Sequence, residues 1–247
     1  MGNGDLFPRG PMPPGGMPLG GMPPGGLMLS IDTCGPSGSV ALGRLAGRDL
    51  EILGETELAG RTYSAVLVSA VSELLAGNGV GLKDLGGIVA VNGPGSFTGV
   101  RVGLSAVKGL AEGLQIPVVA LSRLLVLSRK AGVPSCALDA HRDEVFLRVE
   151  EMGQPARELL AGARDLAAQP APLRVAVCDD AAAVLLQAAW LATQIVRCAA
   201  PLASDALRLG ESRLIAGIFD DLALLDGHYL RRSDAEIFGE AAAAKRL

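Results

Sequence analysis

The sequence has few of the residues that build metal sites and nucleic-acid surfaces. It contains only two histidines, His141 and His228, and they lie far apart in the chain. Its four cysteines occur singly, without the C-x-x-C spacing of a zinc site or a disulfide framework, so we expect core thiols in a reducing cytoplasm. The 247 residues carry a net charge of −4 and no cluster of five lysines or arginines, so strong binding of nucleic acid by the chain alone is not expected. No apolar run reaches the ~18 residues of a membrane span.

Glycine and proline are concentrated in residues 1–26, which contain nine glycines and seven prolines. Such a segment cannot bury enough apolar surface to become ordered, so we predict a disordered tail whose deletion leaves the melting temperature unchanged. The prolines also interrupt the apolar stretch that a secretory signal needs, and no export is expected.

The chain is organised around residues 87–114, GIVAVNGPGSFTGVRVGLSAVKGLAEGL. The apolar run 88–91 predicts a buried strand, the glycines that follow predict a bend, and Ser96 or Thr98 can cap the next helix. Free N–H groups at such a helix start could hold an anion. The glycines could equally serve only to turn the chain at close quarters. Their spacing matches neither G-x-x-x-x-G-K-[ST] nor G-x-G-x-x-G, so these nucleotide-binding motifs do not distinguish between the two interpretations.

The string NGPGSFTGVRVG resembles the TsaB family, and so do LSIDTCGPSGSVALG, ALDAHRDEVFL and GHYLRRSDAE, which together cover roughly residues 28–236. The family is the bacterial partner subunit of TsaD, which places threonylcarbamoyl on the adenosine next to the tRNA anticodon. The resemblance implies an α/β actin-like (ASKHA) fold, duplicated in subdomains 27–115 and 116–235 with mixed sheets flanked by helices, and a C-terminal tail at 236–247. It also suggests Met28 as an alternative initiator methionine.

The resemblance also places a vestigial phosphate or anion site on the first hairpin and the glycine bend. Its residues are Asp32, Thr33, Gly93, Gly95, Ser96, Thr98 and Gly99. A lone aspartate at a strand end can instead be a turn residue. The second hairpin, DAHRDE at 139–144, lacks the glycines of a second phosphate loop, and Tyr63 stands where the family has a histidine. The H-x-x-x-H pair of catalytic relatives is absent at 61–65, so we expect neither catalytic residues nor metal ligands.

The resemblance implies a noncatalytic subunit that forms a heterodimer with a TsaD-type protein and works with a TsaE-type ATPase. Alone, the chain is expected to form a homodimer. It is expected to contact tRNA only as part of the complex, and no membrane association is expected. No resident cofactor is implied, although ATP or ADP could bind at the complex with TsaD. Two alternatives remain open: an ATP-dependent small-molecule kinase of actin-like fold, and a glycoprotease-like peptidase.

Two predicted helices suggest where the partner docks. Helix 62–77 has an apolar arc of roughly 200°, which is wider than one sheet can cover. Helix 99–114 carries repeated glycines, which favour the close approach of a neighbour. We predict that both present a shared apolar face through Ser64, Val68, Val71, Leu75, Arg101 and Gly103. The alternative is that helix 62–77 is enclosed within its own domain.

Overall fold

The computed structural model describes residues 22–23, 25–46, 49–59, 63–151 and 153–231. The first of its two sheets contains β1 (Leu27–Asp32), β2 (Gly38–Ala46), β3 (Asp49–Leu58), β4 (Leu85–Val91) and β5 (Val118–Leu121). The strand order is β3-β2-β1-β4-β5, with β1, β2 and β3 antiparallel and with β4 and β5 parallel to β1. The predicted buried strand at 88–91 is confirmed as part of β4.

The second sheet repeats this arrangement. It contains β6 (Cys136–His141), β7 (Glu144–Val149), β8 (Arg157–Gly162), β9 (Arg174–Val177) and β10 (Gln194–Arg197). Its order is β8-β7-β6-β9-β10, again with three antiparallel strands followed by two parallel ones. Two sheets with the same order and the same strand directions confirm the predicted duplicated α/β fold.

Helices cover both faces of the first sheet. The first pair is α1 (Tyr63–Gly77) and α2 (Phe97–Leu114), and α1 packs on the face to which Gly54 of β3 belongs, with Leu74 over that glycine. The opposite face is covered by α6 (Ala203–Ile215), whose Leu207 lies over Gly43. Because α1 and α2 lie side by side on an already filled core, their outer faces are largely exposed, except at the start of α2, where Tyr229 contacts Phe97.

The second sheet is covered by shorter helices. On one side, α4 (Ala163–Ala168) and α5 (Asp180–Ala189) pack with Trp190 into a core that contains Leu166 and Leu186. On the other side, α3 (Arg123–Ala131) buries Leu124 and Leu127 against β6 and β7. Among the helices that the structure describes, none is long and apolar enough to cross a membrane.

The division between the two halves differs from the predicted one at residue 115. Strand β5 pairs in parallel with β4, so the first sheet extends to Leu121. Helix α6 follows the second sheet in the chain but packs on the first, where Ala203 N donates to Ser39 Oγ at 2.7 Å. Helix α6 therefore follows the second half in sequence but belongs to the first half in structure, which the order of elements along the chain does not reveal.

The prediction of a disordered tail over residues 1–26 is wrong for Met22, Gly25 and Gly26, which hydrogen-bond to the fold. Met22 packs half-buried on the first core, its side chain next to Gly86 and Gly87, and its N–H donates to Leu214 O. Leu45 N donates to Gly26 O at 3.0 Å, which extends the pairing of β1 with β2. The expectation for residues 1–21, like that for the tail at 236–247, falls outside the described residues.

This docking changes the expected effect of truncation. Deleting residues 1–21 should leave the free energy of unfolding unchanged, whereas deleting 1–26 should lower it by about 1–2 kcal/mol, because an apolar side chain and main-chain hydrogen bonds are lost. Met22→Ala in the full chain should give about half of that loss. Urea denaturation of the three variants measures these differences. Equal stability of the two truncated chains would show that Met22 contributes nothing.

Candidate functional site

The loop after β1 and the loop after β4 meet at the carboxyl end of the first sheet. Ser96 N donates to Cys34 O at 2.8 Å, and Thr33 Oγ1 donates to Gly99 O at 2.7 Å. Ser96 Oγ accepts from Gly99 N at 3.2 Å, so Ser96, and not Thr98, caps α2. Ser96 N and Gly99 N, two of the backbone donors at this helix start, are thus already hydrogen-bonded within the chain.

The glycines of the bend make this close contact possible. A Cβ atom on Gly95 would collide with the carbonyl oxygen of Cys34, and one on Gly99 or Gly103 would collide with Thr33. Gly93 adopts φ +114° and packs against the backbone of His228. The structure therefore gives these glycines a packing role, which is the second of the two interpretations that the sequence left open.

Asp32 is buried in an internal ion pair. Its Oδ2 lies 3.3 Å from Nε of Arg123, the first residue of α3, and its Oδ1 accepts from Cys34 N at 2.8 Å. Both side chains are almost fully buried. Burial by itself lowers the pKa of Arg123, but the charge of Asp32, its hydrogen bond and the nearby Cys34 and Cys178 together outweigh this effect, and the pKa is raised. A guanidinium of this chain therefore neutralises the carboxylate that the resemblance places in the vestigial phosphate or anion site.

Tyr63 closes the other side of the same loop. It is buried at the start of α1 and its hydroxyl donates to Gly35 O at 2.7 Å. Burial, and then the nearby charge of Asp32, raises the pKa of Tyr63 to about 12. The residue that stands where the family has a histidine is thus a neutral hydrogen-bond donor here. Residues 60–62, which precede it, lie outside the described part of the chain.

A C-terminal strap, residues 226–231, ties the two halves together. On the first half, His228 N donates to Asn92 O at 2.7 Å. On the second, His228 Nε2 lies 2.8 Å from Glu158, while Arg231 donates to Ala140 O at 2.9 Å and pairs with Glu144. Desolvation raises the pKa of Glu158, but hydrogen bonds from neighbours that include His228 outweigh it, and the pKa is lowered. The strap gives residues 227–231, the described part of the GHYLRRSDAE motif, a structural role.

The outer face of α1 differs from the predicted one. Val71 and Leu75 are buried in the first core, so their assignment to the partner surface is wrong: the wide apolar arc is used by the sheet and by α2. Val68 is 73 % exposed, as the prediction requires. The exposed residues around it are small or uncharged, namely Ala65, Ser69, Ser72 and Ala76. Nothing is described of the Ser64 side chain.

The outer face of α2 combines small residues with the exposed Phe97, Arg101 and Glu112. Gly103 faces inward against Thr33, so its assignment to the partner surface is wrong too. Gly109 and Gly113, in contrast, have no atom of the described chain within 4 Å of a built Cβ. Arg101 is exposed, and its guanidinium lies 3.8 Å from the centre of the Phe97 ring. The exposed faces of α1 and α2, hereafter the helix face, thus combine Val68 and Arg101 with two glycines, Gly109 and Gly113, beside which there is open space.

The burial of Leu75 changes the outcome of the substitutions that the sequence suggested. Leu75→Asp should unfold the isolated chain or cost more than about 4 kcal/mol, because a carboxylate would enter an apolar core. Val68→Asp should change the free energy of unfolding by less than about 1 kcal/mol, because its side chain is in solvent. Urea denaturation measures both. Similar losses for the two variants would contradict the placement of α1.

Comparison with known proteins supports the fold and identifies the family. The fold, two like halves whose first hairpin and following loop meet at one end, is that of the actin-like class. The family model "TsaD: tRNA N6-adenosine threonylcarbamoyltransferase" matches residues 56–179, half of the chain. YeaZ from Pseudomonas aeruginosa superposes with a TM-score of 0.64 and 25 % identity, over 83 % of this chain and 100 % of that one.

Among curated proteins, the chain is 36 % identical over 125 residues to "tRNA threonylcarbamoyladenosine biosynthesis protein TsaB" of Haemophilus influenzae and 34 % identical to that of Escherichia coli. Each match covers 48 % of this chain and 51 % or 52 % of the relative, so the chain spans about half the length of the curated relatives it matches. The chain belongs to the TsaD-related family that the model describes and, within it, to the TsaB group.

Several residues of the site were not found from sequence. Arg123 follows a helix cap and looks like any surface arginine, and Glu158 lies in a segment for which no strand was predicted. Phe97 sits inside the quoted string, but nothing in its neighbourhood pointed to its ring contact with Tyr229 of the strap, which is distant in sequence. Only tertiary structure brings these residues together.

Proposed function

We propose that this chain supports the synthesis of threonylcarbamoyladenosine in tRNA by docking its helix face on a TsaD-type transferase. The observation that carries the proposal is the exposure of Gly109 and Gly113 with no neighbour. A glycine inside a helix costs ~1 kcal/mol relative to alanine. Nothing in the described chain offsets that cost, whereas a second helix approaching closely from another protein would.

The composition of the helix face supports the same proposal. Its α1 side presents Val68 among alanines and serines, with Glu73 at its edge. Small side chains allow two helix backbones to approach closely, and an apolar centre with few charges is typical of a protein interface. In the absence of the transferase, two copies of the chain would cover the same face by forming a homodimer.

We further propose that the chain is not itself a catalyst. Asp32, the carboxylate that an actin-like ATPase would direct at metal and phosphate, is neutralised by Arg123. The loops that would surround a phosphate are packed on each other through Thr33 and Gly99. In this proposal the TsaE-type ATPase, any ATP or ADP and the tRNA act at the complex with the transferase. The kinase and peptidase alternatives would both require chemistry that these side chains do not offer.

An incubation tests the noncatalytic part. The purified chain with ATP and magnesium, and separately with peptide substrates, should show no turnover above a blank. Turnover that disappears in Asp32→Ala would favour the kinase alternative and contradict the proposal. An activity that Asp32→Ala leaves unchanged would point to a contaminant or to another site.

A matched pair of substitutions tests the docking part. Val68 on α1 and Val184 on α5 are similarly exposed, at 73 % and 69 %, but they lie on different halves. Val68→Asp should weaken binding of the TsaD-type transferase from the same genome by about 100-fold, because a carboxylate would be desolvated in the interface. Val184→Asp should bind like the parent chain. Calorimetric titration measures both, and equal affinities would contradict the docking surface.

A further inference from the structure

An exposed aromatic and cationic cluster adjoins the helix face at the start of α2. The rings of Phe97 and Tyr229 have centroids 5.2 Å apart, and Arg101 lies over the Phe97 ring. Phe97 is 45 % exposed and Tyr229 39 % exposed. Phe97 and Arg101 are one helical turn apart on the outer side of α2, so the cluster continues the helix face toward the strap.

The strap holds Tyr229 in place from both sides. His228 N donates to Asn92 O, and the imidazole of His228 contacts Glu158 on the second half. Gly227 allows the ring to fold back, since a Cβ there would lie 2.5 Å from Tyr229 Cζ. Side chains that are already fixed lose little conformational entropy when a partner binds.

We infer that Phe97, Arg101 and Tyr229 form an anchor for the TsaD-type transferase at the end of the helix face, an inference that rests on the proposed function. Aromatic residues and arginine dominate the binding energy of protein interfaces when a partner covers them. The transferase would place an apolar side chain against the two rings and a carboxylate or carbonyl oxygen against the Arg101 guanidinium.

A nucleic-acid ligand fits this cluster less well. Stacked bases also use aromatic rings and arginine, but they come with a phosphate backbone that needs concentrated positive charge. Arg101 is the cation that stacks in the cluster, the exposed Asp226 lies in the adjoining strap, and the whole chain carries a net charge of −4. A protein surface is therefore the occupant that the charges favour.

Calorimetric titration of the transferase from the same genome tests the anchor. Phe97→Ala and Tyr229→Ala should each raise the Kd at least tenfold, and Tyr229→Phe should keep the parent value because the ring is retained. Leu191→Ala, which truncates another exposed apolar side chain on the second half, serves as the control and should bind like the parent. Circular dichroism melts should show that all variants fold.

The outcomes separate the anchor from the docking surface. If Val68→Asp abolishes binding while Phe97→Ala and Tyr229→Ala leave the Kd unchanged, the anchor is overturned and the helix face stands. If the parent chain does not bind the transferase at all, the proposed function itself fails. If the ring substitutions weaken binding of tRNA to the chain but not binding of the transferase, the cluster is a nucleic-acid contact and the inference is overturned.

Discussion

Replacing Gly109 by leucine should stabilise the isolated chain and at the same time abolish its binding to the TsaD-type transferase. Leucine is a better helix former than glycine by ~0.8 kcal/mol, and a Cβ at this position meets no atom of the described chain. The same side chain would stand between two helices that approach each other closely. We expect the free energy of unfolding to rise by up to about 1 kcal/mol and the Kd to rise by about 100-fold or more.

A control in the second half separates the two effects. Ala188 is exposed on α5, and Ala188→Leu should leave both stability and affinity close to those of the parent chain. Urea denaturation and calorimetric titration are measured on the same preparations. If Gly109→Leu binds as tightly as the parent, Gly109 lies outside the interface. If Gly109→Leu lowers the free energy of unfolding, another part of the chain must already occupy the space beside Gly109.

The second large effect concerns the buried pair of Asp32 and Arg123. Asp32→Asn keeps the size of the side chain and its acceptor for Cys34 N, but it removes the charge that faces the guanidinium. An arginine left buried without its partner costs about 3–5 kcal/mol, so the free energy of unfolding should fall by that amount. Urea denaturation at neutral pH measures the loss.

The double variant shows whether the charge or the loop geometry is responsible. Asp32→Asn combined with Arg123→Met removes both charges and should recover most of the stability that the single substitution loses. A loss below about 1 kcal/mol for Asp32→Asn would mean that the guanidinium does not depend on Asp32. The carboxylate would then be available to a ligand, and the noncatalytic role would lose its main support.

The sequence predicted strands correctly where the local residue pattern favours the same structure as the tertiary contacts. The apolar, largely β-branched run at 88–91 was correctly predicted to be a buried strand, the end of β4. Strand β8 was missed because RELLAG contains no β-branched residue and reads as helix, although pairing with β7 makes it a strand. The packing of α6 on the first sheet is likewise determined by tertiary contacts that the local sequence does not show.

The candidate site shows the same limit. An apolar arc of helix 62–77 was visible in the sequence, but which part of it faces the sheet was not, and so Val71 and Leu75 were assigned outward. The glycines of α2 were predicted to allow a close neighbour. For Gly99 and Gly103 that neighbour is Thr33 of the same chain, and only the geometry distinguishes them from Gly109, which has none.

Reconstituted transfer of threonylcarbamoyl to tRNA tests the central claim most directly. The TsaD-type transferase and TsaE-type ATPase of the same genome would be assayed alone, with the parent chain, with Gly109→Leu and with Asp32→Asn/Arg123→Met. We predict that transfer requires the chain, is lost with Gly109→Leu and is retained with the double variant. Full transfer with Gly109→Leu, together with loss of transfer in the folded double variant, would show that the chain acts through the Asp32 site and not through its helix face.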